Sequence, residues 1–412
     1  MMSLMLLVGL LASCGSGKTL MTIGKEKLSV NMYRLMLSRL RGTMEYSYTE
    51  ASGDAFWNIV IDSSGKTYNE YFTQSVLENA KTYLCAMYVF DEVEKLTLPE
   101  STVTSIEEEI DSMILDLADG SKSEFNAILA DFGVNIDMLK EAYIMEAKVA
   151  ALKESLYGKD GALISDVVKE EYYQKNYMRF KHVFLFTYSA VYETDKNGDV
   201  IYYGEDDHIA YDKVNGKSAT DESGALIKDE KGDTVYYTEG GKIAYDKKEG
   251  LRAYVYDENG YVKTRQYNDE EKAAVKAVAD EVYGLASSGE DFDELVELYG
   301  EDPGMNEYTN GYYLTTDSEY EVKAVLEALP EMKDGEIRLI QSDYGYHVVK
   351  REALDEGAYS DSVNADFFTD FVSNVMTELF LNKVNAYADQ VVVDEALLEG
   401  LDIKSAKPNY YF

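Results

Sequence analysis

Hydrophobic residues recur at helical spacing towards both ends of the chain, whereas the middle alternates hydrophobic and polar positions. Up to about residue 176 the pattern predicts helices. Ser29 is a good cap for the first of them, whose apolar face is made of Met32, Leu35, Met36 and Leu40. Further helices are predicted over about 68–95, from Ser105, from Ser123, and from Asn135 to about Tyr157.

Helical periodicity returns near the other end of the chain. One face there is formed by Phe368, Phe371, Val372, Val375, Met376 and Leu379. Such a face needs a partner to bury it, and the N-terminal helices have matching faces. We therefore predict an α+β protein in which one helical domain is built from both chain ends around an inserted domain.

The inserted part reads as a small sheet with helices. Residues 179–186 are rich in aromatic and β-branched side chains and predict a strand, and a second strand is predicted over about 343–350. A helix is predicted between them, from Asp269 to about Ser287. The order of strand, helices, loops and strand predicts that the two end strands are neighbours in one sheet.

An internal repeat separates the first strand from the next helix. Residues 198–213 recur as 232–247, an offset of 34 residues. These tyrosine-rich runs are divided by Asn-Gly, Lys-Gly and Gly-Gly pairs, which predicts β-hairpins over about 189–266. The hairpins fit two roles, a surface that binds other polypeptides or a solvated decoration whose tyrosines pack on one another.

Composition removes several function classes. The chain has 412 residues, which favours two or three domains. Its 77 Asp and Glu residues outnumber 39 Lys and Arg, a formal charge of −38, so nucleic acid is a poor partner. Three histidines and two cysteines argue against a zinc centre. We expect neither a metal site nor a cofactor.

The first residues resemble a bacterial export signal. Leu11-Ala12-Ser13-Cys14 follows a short apolar run and is similar to the lipobox of a lipoprotein. The resemblance implies that 1–13 is a signal peptide and that Cys14 is lipidated, anchoring the protein to the outer face of the cell membrane. The alternative is that this apolar run forms a buried N-terminal strand.

The inserted part resembles the parvulin family of peptidyl-prolyl isomerases. The resemblance rests on four segments: Lys181-His182-Val183-Phe184-Leu185, Gly289-Glu290-Asp291-Phe292, Gly335-Glu336-Ile337 and Tyr344-Gly345-Tyr346-His347. With the lipobox and flanking helices, the chain looks like an extracytoplasmic foldase of the PrsA/SurA type. This implies a helical chaperone domain over 14–176, a parvulin-like domain over 177–353, and a C-terminal helix and tail over 354–412.

The same resemblance implies the site residues. His182, Asp302 and His347 match the catalytic positions of the family, and the substrate-binding candidates are Tyr313, Tyr320, Val325 and Tyr344. The family's apolar contacts to the prolyl ring fall near Glu321 and Val325, where this sequence is more polar.

Two functions agree with these residues. The first is a lipid-anchored peptidyl-prolyl cis-trans isomerase that helps exported, unfolded proteins to fold by stabilising the twisted X–Pro amide without a covalent step. The alternative is an inactive holdase chaperone, with a vestigial parvulin domain and a hairpin insertion that binds clients.

Overall fold

The computed structural model describes residues 17–205 and 207–412, which divide into two units. One unit joins the described residues up to Lys169 to the C-terminal segment Asp370–Phe412, and the other is Glu170–Thr369. The predicted α+β fold, with a helical domain built from both chain ends, is confirmed. The second unit ends at Thr369, whereas the parvulin-like domain was expected to end at residue 353. Aromatic side chains between these positions pack inside the second unit; Phe368, for example, packs on Tyr177.

The helical unit begins with two short antiparallel strands, which the helical pattern did not predict. They are β1 (Thr19–Ile23) and β2 (Glu26–Ser29). Six helices follow in this part of the chain: α1 (Val30–Ser47), α2 (Asp54–Trp57), α3 (Tyr68–Tyr88), α4 (Glu100–Ala118), α5 (Lys122–Ala130) and α6 (Ile136–Tyr157).

Capping side chains explain where several helices begin. The Ser29 and Asn135 side chains each accept a backbone N–H in the first turn of α1 and α6, as predicted. The start predicted at Ser105 is wrong, because α4 already begins at Glu100, directly after Pro99. The start predicted at Ser123 also moves, since Ser121 caps α5.

One hydrophobic core holds the helical unit together. Its largest wholly buried side chains are Trp57, Tyr33, Phe90 and Phe125. The Cys85 thiol is buried in the same core, and burial raises its pKa to about 11, so it is chemically inert.

The second unit is built on a four-stranded antiparallel sheet, whose strands lie in the order β10 (Tyr312–Leu314), β3 (Met178–Phe186), β12 (Gly345–Glu352) and β11 (Ile337–Gln341). Helix α7 (Asp166–Asn176) leads into β3 (Met178–Phe186). The insertion contributes β4 (Tyr188–Ala190), β5 (Tyr202–Tyr203), β6 (Lys217–Ser218), β7 (Tyr236–Tyr237), β8 (Leu251–Arg252) and β9 (Thr264–Gln266). The rest is α8 (Asp269–Ser288), α9 (Phe292–Tyr299), α10 (Gly304–Glu307), β10 (Tyr312–Leu314), α11 (Lys323–Ala328), β11 (Ile337–Gln341) and β12 (Gly345–Glu352).

The two end strands of the predicted domain are neighbours, as expected. In the β3–β12 register His347 lies opposite Phe184, and Val349 lies opposite His182. Directly opposed residues share a face, so the two histidines point to the same side of the sheet, which we call the histidine face. The other face, with Val183, packs on α8 and α9.

The insertion forms three two-stranded pairs, β4–β9, β5–β8 and β6–β7. Asp195 shows how its turns are made, since its carboxylate accepts the backbone N–H groups of Asn197 and Asp199. Tyr211, Ala219 and Val235 form a small buried cluster inside it. The hairpins are therefore held by local turns and by a minor core of their own.

The chain then returns to the helical unit. It adds α12 (Phe371–Asn385), β13 (Val392–Val393) and α13 (Glu395–Leu398), and β13 pairs with β1. Over the described parts of the chain, no helix combines the length and the apolar character needed to cross a membrane. Cys14 and the predicted signal peptide lie outside the described residues.

Candidate active site

Two histidines meet in the interior of the sheet domain. The Nδ1 atoms of His182 on β3 and His347 on β12 are 3.3 Å apart, and their rings are stacked with centroids 5.4 Å apart. His182 is 1% exposed and His347 is 0% exposed. The pair therefore lies behind the surface rather than on it.

Asp302 joins this pair from the loop after α9. That loop runs beside β3, because the Glu301 N–H donates to the Phe184 carbonyl over 2.9 Å. The Asp302 Oδ2 atom lies 2.7 Å from His182 Nε2, and its Oδ1 accepts the Gly304 N–H at 2.9 Å. The side chain of Asp302 is 19% exposed, so this carboxylate reaches the surface that the histidines do not.

Tyr312 on β10 completes the contacts of this carboxylate. Its hydroxyl donates to Asp302 Oδ2 over 2.8 Å. Burial raises the pKa of Asp302, but hydrogen bonds from His182, Tyr312 and Gly304 outweigh it and hold the pKa below its usual value. Burial raises the pKa of Tyr312, and the bond to Asp302 adds to this. The pair is thus an ionised carboxylate and a protonated phenol.

Ser342 binds the far side of His347. Its Oγ is 2.8 Å from His347 Nε2 and also accepts the Tyr344 N–H at 3.1 Å. Burial lowers the pKa of His347 to about 3, and the neighbouring His182 acts in the same direction. His347 is therefore neutral at physiological pH.

The contacts limit how many protons the pair can hold. Because the Asp302 carboxylate only accepts, His182 Nε2 carries a proton. One proton bridges the two Nδ1 atoms, since two N–H groups facing each other would repel. The pair thus holds at most one positive charge, and the hydrogen bonds run unbroken from Tyr312 to Ser342.

Two predicted substrate-binding residues do not line this site. Tyr313 lies on the opposite face from Tyr312, is 2% exposed, and packs with Tyr173 and Phe368. Tyr312, and not the predicted Tyr313, lies on the histidine face, because successive strand residues point to opposite faces. Val325 is 0% exposed and is buried in the hydrophobic cluster that packs on the histidine face with Phe180 and Val349, so it offers no accessible surface.

The other two candidates lie nearer to the histidine face. The Tyr320 ring is partly buried, 5.8 Å from Phe180 and 6.2 Å from Tyr312. Tyr344 is 41% exposed in the hairpin before β12 and is joined to His347 through Ser342. Glu321, at the other position expected to be apolar, is exposed.

Sequence reasoning missed Tyr312 and Ser342. Tyr312 precedes the residue that was selected, and only the pairing of β10 with β3 distinguishes the two. Ser342 stands five residues before His347, in the hairpin between β11 and β12. This short spacing was the sequence signal for a contact between the two side chains.

The hydrogen-bonded side chains form a polar wall. Among residues 17–205 and 207–412, no three or more His, Cys, Asp and Glu side chains are grouped as a metal site. Aromatic rings enclose the histidines, with Phe184 stacked on His347 at 4.0 Å and Phe180 edge-on to His182 at 5.6 Å. Such a wall can orient hydrogen bonds towards a bound amide.

Comparisons with known proteins place this geometry in a family context. Residues 256–353 match the family described as the PPIC-type PPIase domain, a range that includes Asp302, Tyr312, Ser342 and His347. The matched range does not include β3, with His182, which the insertion separates in sequence from the remaining strands of the sheet. The chain carries a PPIC-type domain.

The matched proteins carry the name PrsA. The chain is 28% identical over 152 residues to the foldase protein PrsA of Geobacillus kaustophilus, covering 34% of this chain and 50% of that protein. The chain thus spans about half the length of this curated relative. The crystal structure of PrsA from Bacillus subtilis is 16% identical, covering 82% of this chain and 93% of the other, with a TM-score of 0.21. The crystal structure of peptidylprolyl isomerase (PrsA) from Bacillus cereus is 16% identical, covering 81% of this chain and 92% of the other, with a TM-score of 0.26.

Proposed function

We propose, on the premise that this chain carries a PPIC-type isomerase domain and resembles PrsA foldases, that it isomerises X–Pro bonds in unfolded exported proteins. The observation that carries the proposal is the unbroken series of hydrogen bonds from Tyr312 through Asp302 and the histidine pair to Ser342. Most of its members lie inside the matched segment.

The chemistry needs no covalent step. Rotating the X–Pro bond meets a barrier of about 18–20 kcal/mol from lost amide resonance, and a site lowers it by binding the twisted amide better than either planar form. Asp302 and Tyr312 are partly accessible and are proposed to face the twisted amide. His182 and His347 are proposed as positioning residues, because both are buried and hold Asp302 and Ser342.

The client is proposed to lie on the same face. Tyr320 and Tyr344 are the candidates to contact residues near the proline, since both retain accessible surface on or beside the histidine face. Tyr313 and Val325 are not retained in this role because both are buried, Tyr313 on the opposite face and Val325 in the hydrophobic cluster on the histidine face.

The second candidate function is a holdase that has lost the reaction. Two observations favour it: Val325 is part of the core, and Glu321 is exposed where the family has an apolar contact to the prolyl ring. A site with a weak prolyl pocket can still hold an unfolded chain by its apolar surface. In that case the exposed tyrosines of the insertion would supply much of the binding.

An isomerisation assay separates the two functions. The full chain carrying Cys14→Ser, which removes the thiol to be acylated, is tested on a panel of X–Pro tetrapeptides alongside Asp302→Ala and His347→Ala. Catalysis that falls in both variants supports the isomerase. No catalysis from a protein that still slows the aggregation of an unfolded client would leave the holdase.

We also propose an extracytoplasmic location with a lipid anchor at Cys14, supported by the lipobox-like Leu11-Ala12-Ser13-Cys14. Two acyl chains hold a protein stably at a membrane, whereas one chain binds only marginally. Expression in a bacterial host with labelled palmitate tests this. Label that disappears in Cys14→Ser, with release of the protein from the membrane fraction, is the expected result, and unlabelled native protein would contradict it.

A further inference from the structure

A row of aromatic side chains leads away from the histidine pair. Phe184 lies on His347, with ring centroids 4.0 Å apart. Phe186 lies 4.3 Å from Phe184, and Tyr188 lies 4.9 Å from Phe186. These are alternate residues of β3 and the start of β4, so their side chains point to the same side of the strands. The row begins at the site and continues into the insertion.

The row extends across the hairpins. Tyr192, four residues after Tyr188, lies 5.2 Å from Tyr254, its partner in an isolated β-bridge. The Arg252 guanidinium lies 4.4 Å from the Tyr192 ring centroid. Tyr256 follows Tyr254 by two residues and shares its side of the strand. We call the six side chains Phe184, Phe186, Tyr188, Tyr192, Tyr254 and Tyr256 the aromatic row.

Exposure increases along the aromatic row. Phe184 is 7% exposed, whereas Tyr254 is 42% and Tyr256 is 56% exposed. Other tyrosines of the insertion behave differently: Tyr211 and Tyr245 are buried, and their hydroxyls donate to Asp229 and Asp195. The buried tyrosines therefore stabilise the hairpins, while the aromatic row presents ring surface to solvent.

We infer that the aromatic row binds an extended, unfolded segment of the client polypeptide next to the proline held at the histidine face. The inference rests on the proposed function, because it assigns to the insertion the role of a second contact for the same client. From Phe184 to Tyr192 the chain is largely extended and spans roughly 26 Å, a length that matches about eight residues of extended client. Rings at alternate positions suit apolar and aromatic client residues.

The charges around the aromatic row select among clients. Burial raises the pKa of Tyr188, and Tyr344 and the charge of the exposed Glu321 act in the same direction. The Arg252 guanidinium already contacts the face of the Tyr192 ring. With a formal charge of −38 on the whole chain, the row should prefer neutral or basic segments to acidic ones.

Fluorescence anisotropy with a labelled peptide tests the inference. The peptide is a neutral twelve-residue chain with one Ala–Pro bond and Phe at alternate positions, and it is titrated with the full chain carrying Cys14→Ser. The test variant is Tyr254→Ala with Tyr256→Ala. Its matched control is Leu251→Ala with Tyr261→Ala, two side chains of the insertion that are 69% and 73% exposed and lie outside the row. Circular dichroism checks that both variants keep the fold.

The expected result is a Kd for the peptide that rises roughly five- to tenfold in the test variant and stays unchanged in the control. Replacing the Phe residues of the peptide by Ser should weaken binding to the native protein and remove the difference between variants. Equal Kd values for the test and control variants overturn the inference.

The tetrapeptide isomerisation assay keeps this inference separate from the proposed enzyme activity. If the native protein isomerises no tetrapeptide but the test variant still loses peptide binding, the row stands and the isomerase function fails. If tetrapeptides are isomerised and the variants bind alike, the isomerase stands and the row fails.

Discussion

His182 and His347 face each other through their Nδ1 atoms at 3.3 Å on adjacent strands, with almost no exposed surface. Neither ring can contact a client directly. Their effect is instead to fix the direction of the hydrogen bonds made by Asp302 on one side and Ser342 on the other. Buried positioning groups are thus separate from the accessible groups that they hold.

Replacing the accessible carboxylate should lower isomerase activity more than stability. Asp302→Asn removes the charge that accepts from His182, Tyr312 and Gly304, so the wall loses its fixed polarity. We expect kcat/KM for X–Pro tetrapeptides to fall at least about tenfold, or ~1.4 kcal/mol of transition-state stabilisation. Asp293→Asn is the matched control, because the Asp293 carboxylate pairs at the surface with Lys181, which is next to His182 on β3. Equal losses in the two variants would show that Asp302 has no special role.

Adjacent tyrosines provide the next prediction. Tyr312→Phe removes the hydroxyl that donates to Asp302, whereas Tyr313→Phe removes one on the other face of the sheet. Activity on tetrapeptides should fall about five- to tenfold in the first variant and stay near native in the second. The unfolding free energy should fall by roughly 1 kcal/mol in Tyr312→Phe, since the partly buried Asp302 carboxylate loses one hydrogen-bond donor. A larger activity loss from Tyr313→Phe would contradict the assignment of the two faces.

Stability should depend on pH through His347. Its pKa is about 3 in the folded protein against 6.5 for an ordinary histidine, so below about pH 6.5 the unfolded chain binds a proton that the folded protein does not. The free energy of unfolding should therefore fall with pH between about 6.5 and 3, by ~1.4 kcal/mol per pH unit for this group. The pKa of Asp302 lies below its usual value of 3.8, so the stability that its ionised carboxylate contributes is lost only below about pH 3.8.

The free energy of unfolding is measured in urea at pH 7, 6 and 5. Hydrogen-exchange mass spectrometry of peptides from β12 monitors the unfolding. His347→Gln is the comparison, because it retains polar contact atoms and does not titrate. The native protein should lose stability faster than the variant as pH falls from 7 to 5. Parallel pH profiles would mean that His347 is not held neutral by the fold.

Much of this architecture follows from local sequence patterns. Apolar residues at helical spacing and the side-chain caps Ser29 and Asn135 predict α1 and α6, because both signals lie within a few residues of the feature they specify. The meeting of His182 and His347 was predicted from the resemblance and from the expectation that the two end strands pair.

Other features depend on pairing that the sequence does not encode locally. Tyr312 faces the site and Tyr313 does not because of the register of β10 on β3, and a shift by one residue would exchange them. In the insertion, the repeated pairs of tyrosines in β5 and β7 have different partners, β8 and β6. Because β6 and β8 are themselves 34 residues apart, each tyrosine pair bonds to the equivalent segment of the other repeat, an exchange that the local signals do not specify.

Gly42 provides the last prediction, in the helical unit. It lies within α1, where the Asn409 N–H donates to the Ser38 carbonyl over 3.0 Å. A Cβ at Gly42 would stand 1.9 Å from the Asn409 carbonyl oxygen. Gly42→Ala should therefore push the C-terminal segment off the helix and lower the unfolding free energy by about 1–3 kcal/mol, despite the better helix propensity of Ala.

Gly284 in α8 is the matched control, since it is exposed and a Cβ there would meet nothing within 4 Å. Gly284→Ala should stabilise its helix by ~0.5–1 kcal/mol through propensity alone. Urea unfolding of the helical unit is followed by the fluorescence of Trp57, which is the single tryptophan of the chain and is buried. Hydrogen-exchange mass spectrometry of peptides from α8 reports on that helix. If Gly42→Ala stabilised the helical unit as Gly284→Ala stabilises α8, the close approach of Asn409 would not contribute to holding the C-terminal segment in place.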